Sequence, residues 1–229
     1  MTATTRMLQG LTLTGMLCVS ASAMDAQACM GRQDLAVASS SVSTTVAAAG
    51  AERMLLGRYG IAGRRVFAGV QAGYASYELR DPTAIAVGID AGFAIPLGAS
   101  EATQLCPFLQ SAYMGKPFGP PGVTSALGLS LGRALPVTSS FAIAPFVQGG
   151  VLHRPFRYPG FMMQASDVDR YRGARSRGLF GGQAGLGVGL RFSEVLTITP
   201  SAIVPIGFGK YPGYGEITYS LGASFGFRR

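Results

Sequence analysis

From residue 66 to the C-terminus, apolar side chains recur at every second position in one run after another. The last run is the cleanest: Ile217, Tyr219, Leu221, Ala223, Phe225 and Phe227 share one phase, and Thr218, Ser220, Gly222, Ser224 and Gly226 share the other. A period of two with one apolar phase is the mark of a strand with one apolar face. Val66, Val70 and Tyr74 alternate with Phe67, Gly69 and Gln71 in the same way. Ile85, Val87, Ile89 and Phe93 alternate with Ala84, Ala86, Asp90 and Gly92. Leu109 and Tyr113 oppose Cys106, Phe108 and Gln110, and Leu127, Leu129 and Leu131 oppose Ala126, Gly128 and Ser130. Phe141, Ile143 and Val147 oppose Ala142, Ala144 and Gln148, while Leu186, Val188 and Leu190 oppose Gly187, Gly189 and Arg191. Leu196, Ile198, Val204 and Ile206 form the run before last.

Two weaker runs come first, at 35–48 and at 52–60, where Met54-Leu55-Leu56 interrupts the alternation. Counting both gives ten strands, with eight as the alternative count. Turn residues separate the runs: 63–65, Arg80-Asp81-Pro82, 136–138, Ser193-Glu194 and 210–213. The stretch 115–122, with prolines at 117, 120 and 121, cannot be a strand interior, because proline has no ladder donor. The longest irregular stretch is 154–177. Short and long connections alternate, as in membrane barrels with short turns on one side and longer loops on the other. The connection 96–103 is the misfit, being long for the short-turn side. The expected fold is all-β: a closed antiparallel up-and-down transmembrane β-barrel.

Composition sharpens the choice of solvent. Charged residues are 13% of the chain, about half the usual share of a soluble domain. The polar phase of the strands holds Gly, Ala, Ser, Thr and Gln, with Asp90 and Arg191 as its clear charges. A water-facing surface normally carries about a quarter or more charged residues, so this phase suits a lumen wall and the apolar phase suits lipid. The rival is a soluble secreted barrel of lipocalin type that binds an apolar ligand, with the two faces exchanged. The 33 glycines sit inside the alternating runs, where they make room on a crowded inner wall. The formal charge of +8 is spread over expected loops and strand ends, so nucleic-acid binding is not expected.

Residues 1–23 read as an export signal: Arg6, a short apolar core, then Ala21-Ser22-Ala23 before the cut. A second small-x-small site, Ala26-Gln27-Ala28, would leave Cys29 first and open a lipidation route; simple cleavage is the expectation. Residues 24–34 are then a periplasmic segment and 35–229 the barrel. Loss of the leader removes Cys18 and leaves Cys29 and Cys106. An even pair in an oxidising compartment suggests a disulfide tying the N-terminal segment across the lower mouth. The alternative is two unrelated small buried residues. Two thiols and a single histidine without close spacing do not make a metal site, and no cofactor is expected.

The alternating strands, the Leu105–Phe108 segment and the ending from Ser220 to Phe227 together resemble small outer-membrane β-barrel proteins of Gram-negative bacteria. The resemblance implies a barrel in the outer membrane and brings no catalytic residues. It also implies that Ser220, Gly222, Phe225 and Phe227 form the C-terminal signal read by the barrel-assembly machinery. The implied role is structural or surface-interacting, with a narrow pore for small solutes as a further option.

Three groups remain as candidate chemistry. Arg154, Arg157, Arg170, Arg172, Arg175 and Arg177 crowd the long loop and could grip lipopolysaccharide phosphates, since arginine matches phosphate with two donors. A solvated loop is the plainer reading. Asp90 and Arg191 face inward and could pair across the lumen, line a water-filled path, or make a structural contact in a plugged barrel. His153 is the single histidine; Ser166 and Asp167 share its loop, but no nucleophile motif accompanies it, so an enzyme is not expected.

Overall fold

The computed structural model describes residues 29–31, 40–50, 52–63, 65–77, 84–98, 101–115, 122–155, 178–193, 195–208 and 215–227. Among these residues twelve strands make one sheet: β1 (Ser40–Ala49), β2 (Glu52–Ala62), β3 (Val66–Tyr77), β4 (Ala84–Phe93), β5 (Ile95–Leu97), β6 (Thr103–Met114), β7 (Gly122–Arg133), β8 (Leu135–Pro136), β9 (Phe141–Arg154), β10 (Leu179–Phe192), β11 (Leu196–Ile206) and β12 (Thr218–Phe227). Ten are long; β5 and β8 are short extensions that carry on from β4 and β7. Every pairing is antiparallel. β1 pairs with β12 and β9 with β10, so the sheet closes on itself. Closure removes the unpaired edges that an open sheet of this length would present.

Both weak N-terminal runs are strands, so the count is ten rather than eight. The interruption at Met54-Leu55-Leu56 is one of residue type, not of geometry: Leu55 faces out, and Met54 and Leu56 face in, half-buried. The long connection expected at 96–103 is also shorter than it reads. Ile95–Leu97 pairs with Leu105, Gln104 and Thr103, so that 98–102 separate the paired strands. The other connections on this side are 63–65, 137–140 and 193–195. Ser193 takes a positive φ of 60° there, and its N–H donates to the Ser140 carbonyl at 2.6 Å, which tightens that rim. The opposite end carries the longer connections 78–83, 115–121, 155–178 and 207–217, with the two-residue link 50–51 as the exception, so the alternation of short and long connections holds from β3 onward.

The two faces are inverted relative to a soluble protein. Val70, Ile89, Leu129, Leu186 and Leu221 point outward, each more than half exposed. Asp90, Arg191, Gln104, Gln148 and Gln183 point inward and are buried. A soluble protein rarely exposes a contiguous apolar patch beyond about 300–600 Å², whereas here the apolar phase runs round every long strand. This is the arrangement of a barrel that spans a membrane, with lipid outside and a polar wall within. It runs opposite to the ligand-binding soluble barrel, whose lumen would be apolar. No helix among the described residues is long and apolar enough to cross a membrane.

Candidate functional site: the filled lumen

The lumen of a ten-stranded barrel is narrow, since diameter grows with strand number. Here a piece of the chain itself enters it. Cys29–Gly31 forms a 3-10 turn inside the wall, and Cys29 is bonded to Cys106 of β6 across 77 residues, with Cα atoms 5.6 Å apart. The Met30 N–H donates to Ser130 Oγ of β7 at 3.3 Å. Gly31, at φ 70°, lies against the Phe146 ring of β9 and the backbone of Gly189 on β10. A side chain at Gly31 would collide with that ring, and one at Gly189 would strike the Gly31 carbonyl. The turn therefore braces β6, β7, β9 and β10 from within. The bridge expected from sequence is present, and it sits inside the wall rather than merely across the mouth.

Around the turn, inward phenylalanines are seated on inward glycines of neighbouring strands. Phe67 is paired in register with Gly92, Phe108 with Gly128, and Phe146 with Gly187. A Cβ placed on Gly92, Gly128 or Gly187 would come within 2.5, 2.8 or 2.6 Å of the facing ring. The high glycine content thus has a packing cause: each glycine vacates the volume that a ring fills. Cys29, Phe67, Ala94, Cys106 and Phe108 form one buried cluster, with Met30 and Ala62 packed against it.

An ion pair crosses this wall. Arg58 of β2 donates from Nε to Asp90 Oδ1 at 2.7 Å and from Nη2 to Oδ2 at 2.8 Å. Its guanidinium passes over Gly60 and Gly69, a cross-strand pair on β2 and β3, and either glycine given a Cβ would collide with it. Two-point contact with both charges buried gives the geometry in which such a pair offsets its desolvation. Sequence reading named Asp90 but passed over Arg58, which lay in the run whose alternation looked broken. The available signal was its phase: Arg58 is inward like Met54, Leu56 and Gly60.

The remaining wall is hydroxyl-rich. Arg191 faces inward on β10, in register with Thr197 of β11, which is in turn opposite Ser224 of β12. Ser41 faces in from β1 and is fully buried. Among the described residues Ser41 Oγ, Thr197 Oγ1 and Ser224 Oγ have no hydrogen-bond partner. Ser201 and Ser220 bond to each other at 2.6 Å. Asp90 and Arg191 are both 4% exposed, so neither lines a water-filled path.

The other expected groups fall as follows. His153 and Arg154 belong to β9 itself rather than to the loop after it. The His153 ring faces outward near the long-loop rim and packs against Phe180, centroids 4.7 Å apart. Its cross-strand neighbour is Ser125, but the Ser125 hydroxyl is bonded to Ser111 at 3.1 Å, and the His153 Nε2 lies against Gly178 on the other side. Ser166, Asp167, Arg157, Arg170, Arg172, Arg175 and Arg177 lie outside the described residues, as do residues 1–28 with the expected leader. Phe208, just past β11, is fully buried: Gly207 at φ 85° turns the chain and the ring seats over Gly181. Phe225 and Phe227 face outward on β12, Ser220 and Gly222 inward. No group of three or more metal-ligating side chains occurs among the described residues.

No protein-family model and no curated protein matches the sequence. Solved structures with related shapes include the N-terminal β-barrel domain of Pseudomonas aeruginosa OprF, 16% identical, covering 82% of this chain and 96% of that one at a TM-score of 0.36. The NanC porin is 10% identical, covering 82% and 100%, at 0.39. The translocator domain of autotransporter NalP from Neisseria meningitidis is 11% identical, covering 82% and 86%, at 0.38.

Proposed function

We propose that the chain is an outer-membrane barrel of a Gram-negative bacterium with a structural or surface-interaction role, its lumen closed by its own N-terminal turn. The observation that carries this reading is the burial of the inward wall around that turn. Ser41, Phe67, Cys106, Phe108, Ser130, Ala144 and Thr197 come from six different strands and are almost wholly inaccessible. A water-filled bore would leave such wall residues exposed. The narrow-pore option therefore lacks its channel at this level. The exported location is supported by the leader-like residues 1–23 and by the oxidised cysteine pair. Recognition by the barrel-assembly machinery is supported by the pattern of Ser220, Gly222, Phe225 and Phe227. Binding of lipopolysaccharide phosphates by Arg154 and the arginines that follow it belongs to the same proposal.

Fractionation followed by electrophoresis with and without boiling tests it. The expected outcome is recovery in the outer membrane, faster migration unboiled, and no step conductance in a planar bilayer. Steady ion conductance by the folded protein would replace the closed scaffold with a pore. Unchanged lipopolysaccharide binding after replacement of the six arginines would remove that partner.

A further inference from the structure

Both halves of the Cys29–Cys106 bridge are completely inaccessible in the finished barrel. Cys106 faces inward from β6, under Phe108 and beside Phe67. Cys29 approaches it from the lumen side, inside a turn held by Ser130, Phe146 and Gly189. Protein thiol oxidants work through direct contact. A thiolate attacks the oxidant's disulfide, a mixed disulfide forms, and the second thiolate resolves it. That intermediate requires a second protein's sulfur within bonding distance of Cys29 or Cys106, in line with the attacking atom. A closed ten-stranded wall with its lumen filled leaves no room for it.

We infer that the bridge is made on the unfolded chain, before the barrel closes, and that the chain is a substrate of a periplasmic dithiol–disulfide oxidant. The reaction balances as two thiols plus the partner's disulfide giving the Cys29–Cys106 disulfide plus the partner's dithiol; two electrons and two protons pass to the partner. Placement in the periplasm rests on the outer-membrane reading, whereas the order of oxidation and closure does not. The order has a structural consequence. A bridge spanning 77 residues encloses β1 to β5 in a covalent loop before their pairing, and it delivers the Cys29–Gly31 turn to the inner wall of β6 as that wall forms.

The test uses the full chain carrying Cys18→Ser, so that only Cys29 and Cys106 titrate. A purified thioredoxin-fold disulfide oxidant is added to the reduced chain in urea, and separately to the reduced chain already folded in detergent micelles. Maleimide mass-tagging reads the thiols, and the shift between boiled and unboiled samples reads closure independently. Oxidation of the unfolded chain is expected, slowed by roughly two orders of magnitude or more once the shifted band has formed. A reduced chain that forms no shifted band while the oxidised chain does would support the same order, because closure would then require the bridge. Equal oxidation rates before and after closure would overturn the inference. Absence of the shifted band from both reduced and oxidised chain would overturn the barrel reading, and the inference with it.

Discussion

From β2 round to β10 the inner wall is crowded; from β11 through β12 to β1 it is sparse. The crowded wall carries Phe67, Phe108 and Phe146 seated on glycines, the Arg58–Asp90 pair and the disulfide. The sparse wall carries Ser41, Thr197, Ser220 and Ser224, short side chains whose hydroxyls are only partly partnered among the described residues. Both walls present the same apolar exterior, with Val70 and Leu129 on one and Val204 and Leu221 on the other. The outside is thus uniform because lipid is uniform, and the inside is uneven because one wall receives the N-terminal turn. The turn touches β6, β7, β9 and β10, and the phenylalanines complete the volume it leaves.

That contrast orders the effects of substitution. The largest belongs to the ion pair. Asp90→Ala leaves the buried Arg58 charge without this carboxylate and should cost roughly 3–5 kcal/mol in urea unfolding of the folded barrel. The double change Arg58→Met with Asp90→Leu should recover most of that loss; failure to recover would mean that volume, not charge, sets the effect. Phe108→Ala opens a cavity over Gly128 and should cost about 3 kcal/mol or more. Adding Gly128→Ala should not lessen the cost, because a Cβ there also meets the Gly149 carbonyl at 2.4 Å; urea titration of the pair of variants reads this directly. Replacing Cys29 and Cys106 by serine removes a long covalent loop and should cost about 2–4 kcal/mol. On the sparse wall, Thr197→Val removes a hydroxyl without a bonded partner and should change stability by no more than about 1 kcal/mol in either direction. A large loss there would erase the distinction between the walls.

How much of this was readable in the chain follows from what periodicity can carry. Alternation fixed the phase of Val87, Asp90, Leu129 and Arg191 correctly, because a one-residue error would flip every side chain to the wrong face. The parity of the cysteines pointed to their pairing, because two remain once the expected leader with Cys18 is set aside. The glycines were legible as space-makers, but not the rings they receive. Phe67 meets Gly92, and Phe108 meets Gly128, through cross-strand register, which a single strand's pattern does not encode. Arg58 was hidden for a related reason. Its strand has large apolar residues on both faces at Met54-Leu55-Leu56, and its partner Asp90 lies two strands away across Gly69. His153 was placed one element too late, because strand β9 continues to Arg154 past a pair of glycines at 149 and 150.

The central claim is that the apolar phase meets lipid. The chain has no tryptophan, so one introduced residue reports its own surroundings. Leu129→Trp places the probe at mid-height on the outward face of β7. In vesicles whose acyl chains are brominated, its fluorescence should be strongly quenched, while the water-borne quencher acrylamide should have little effect. Efficient quenching by acrylamide with none from the brominated chains would put water on that face and contradict the account.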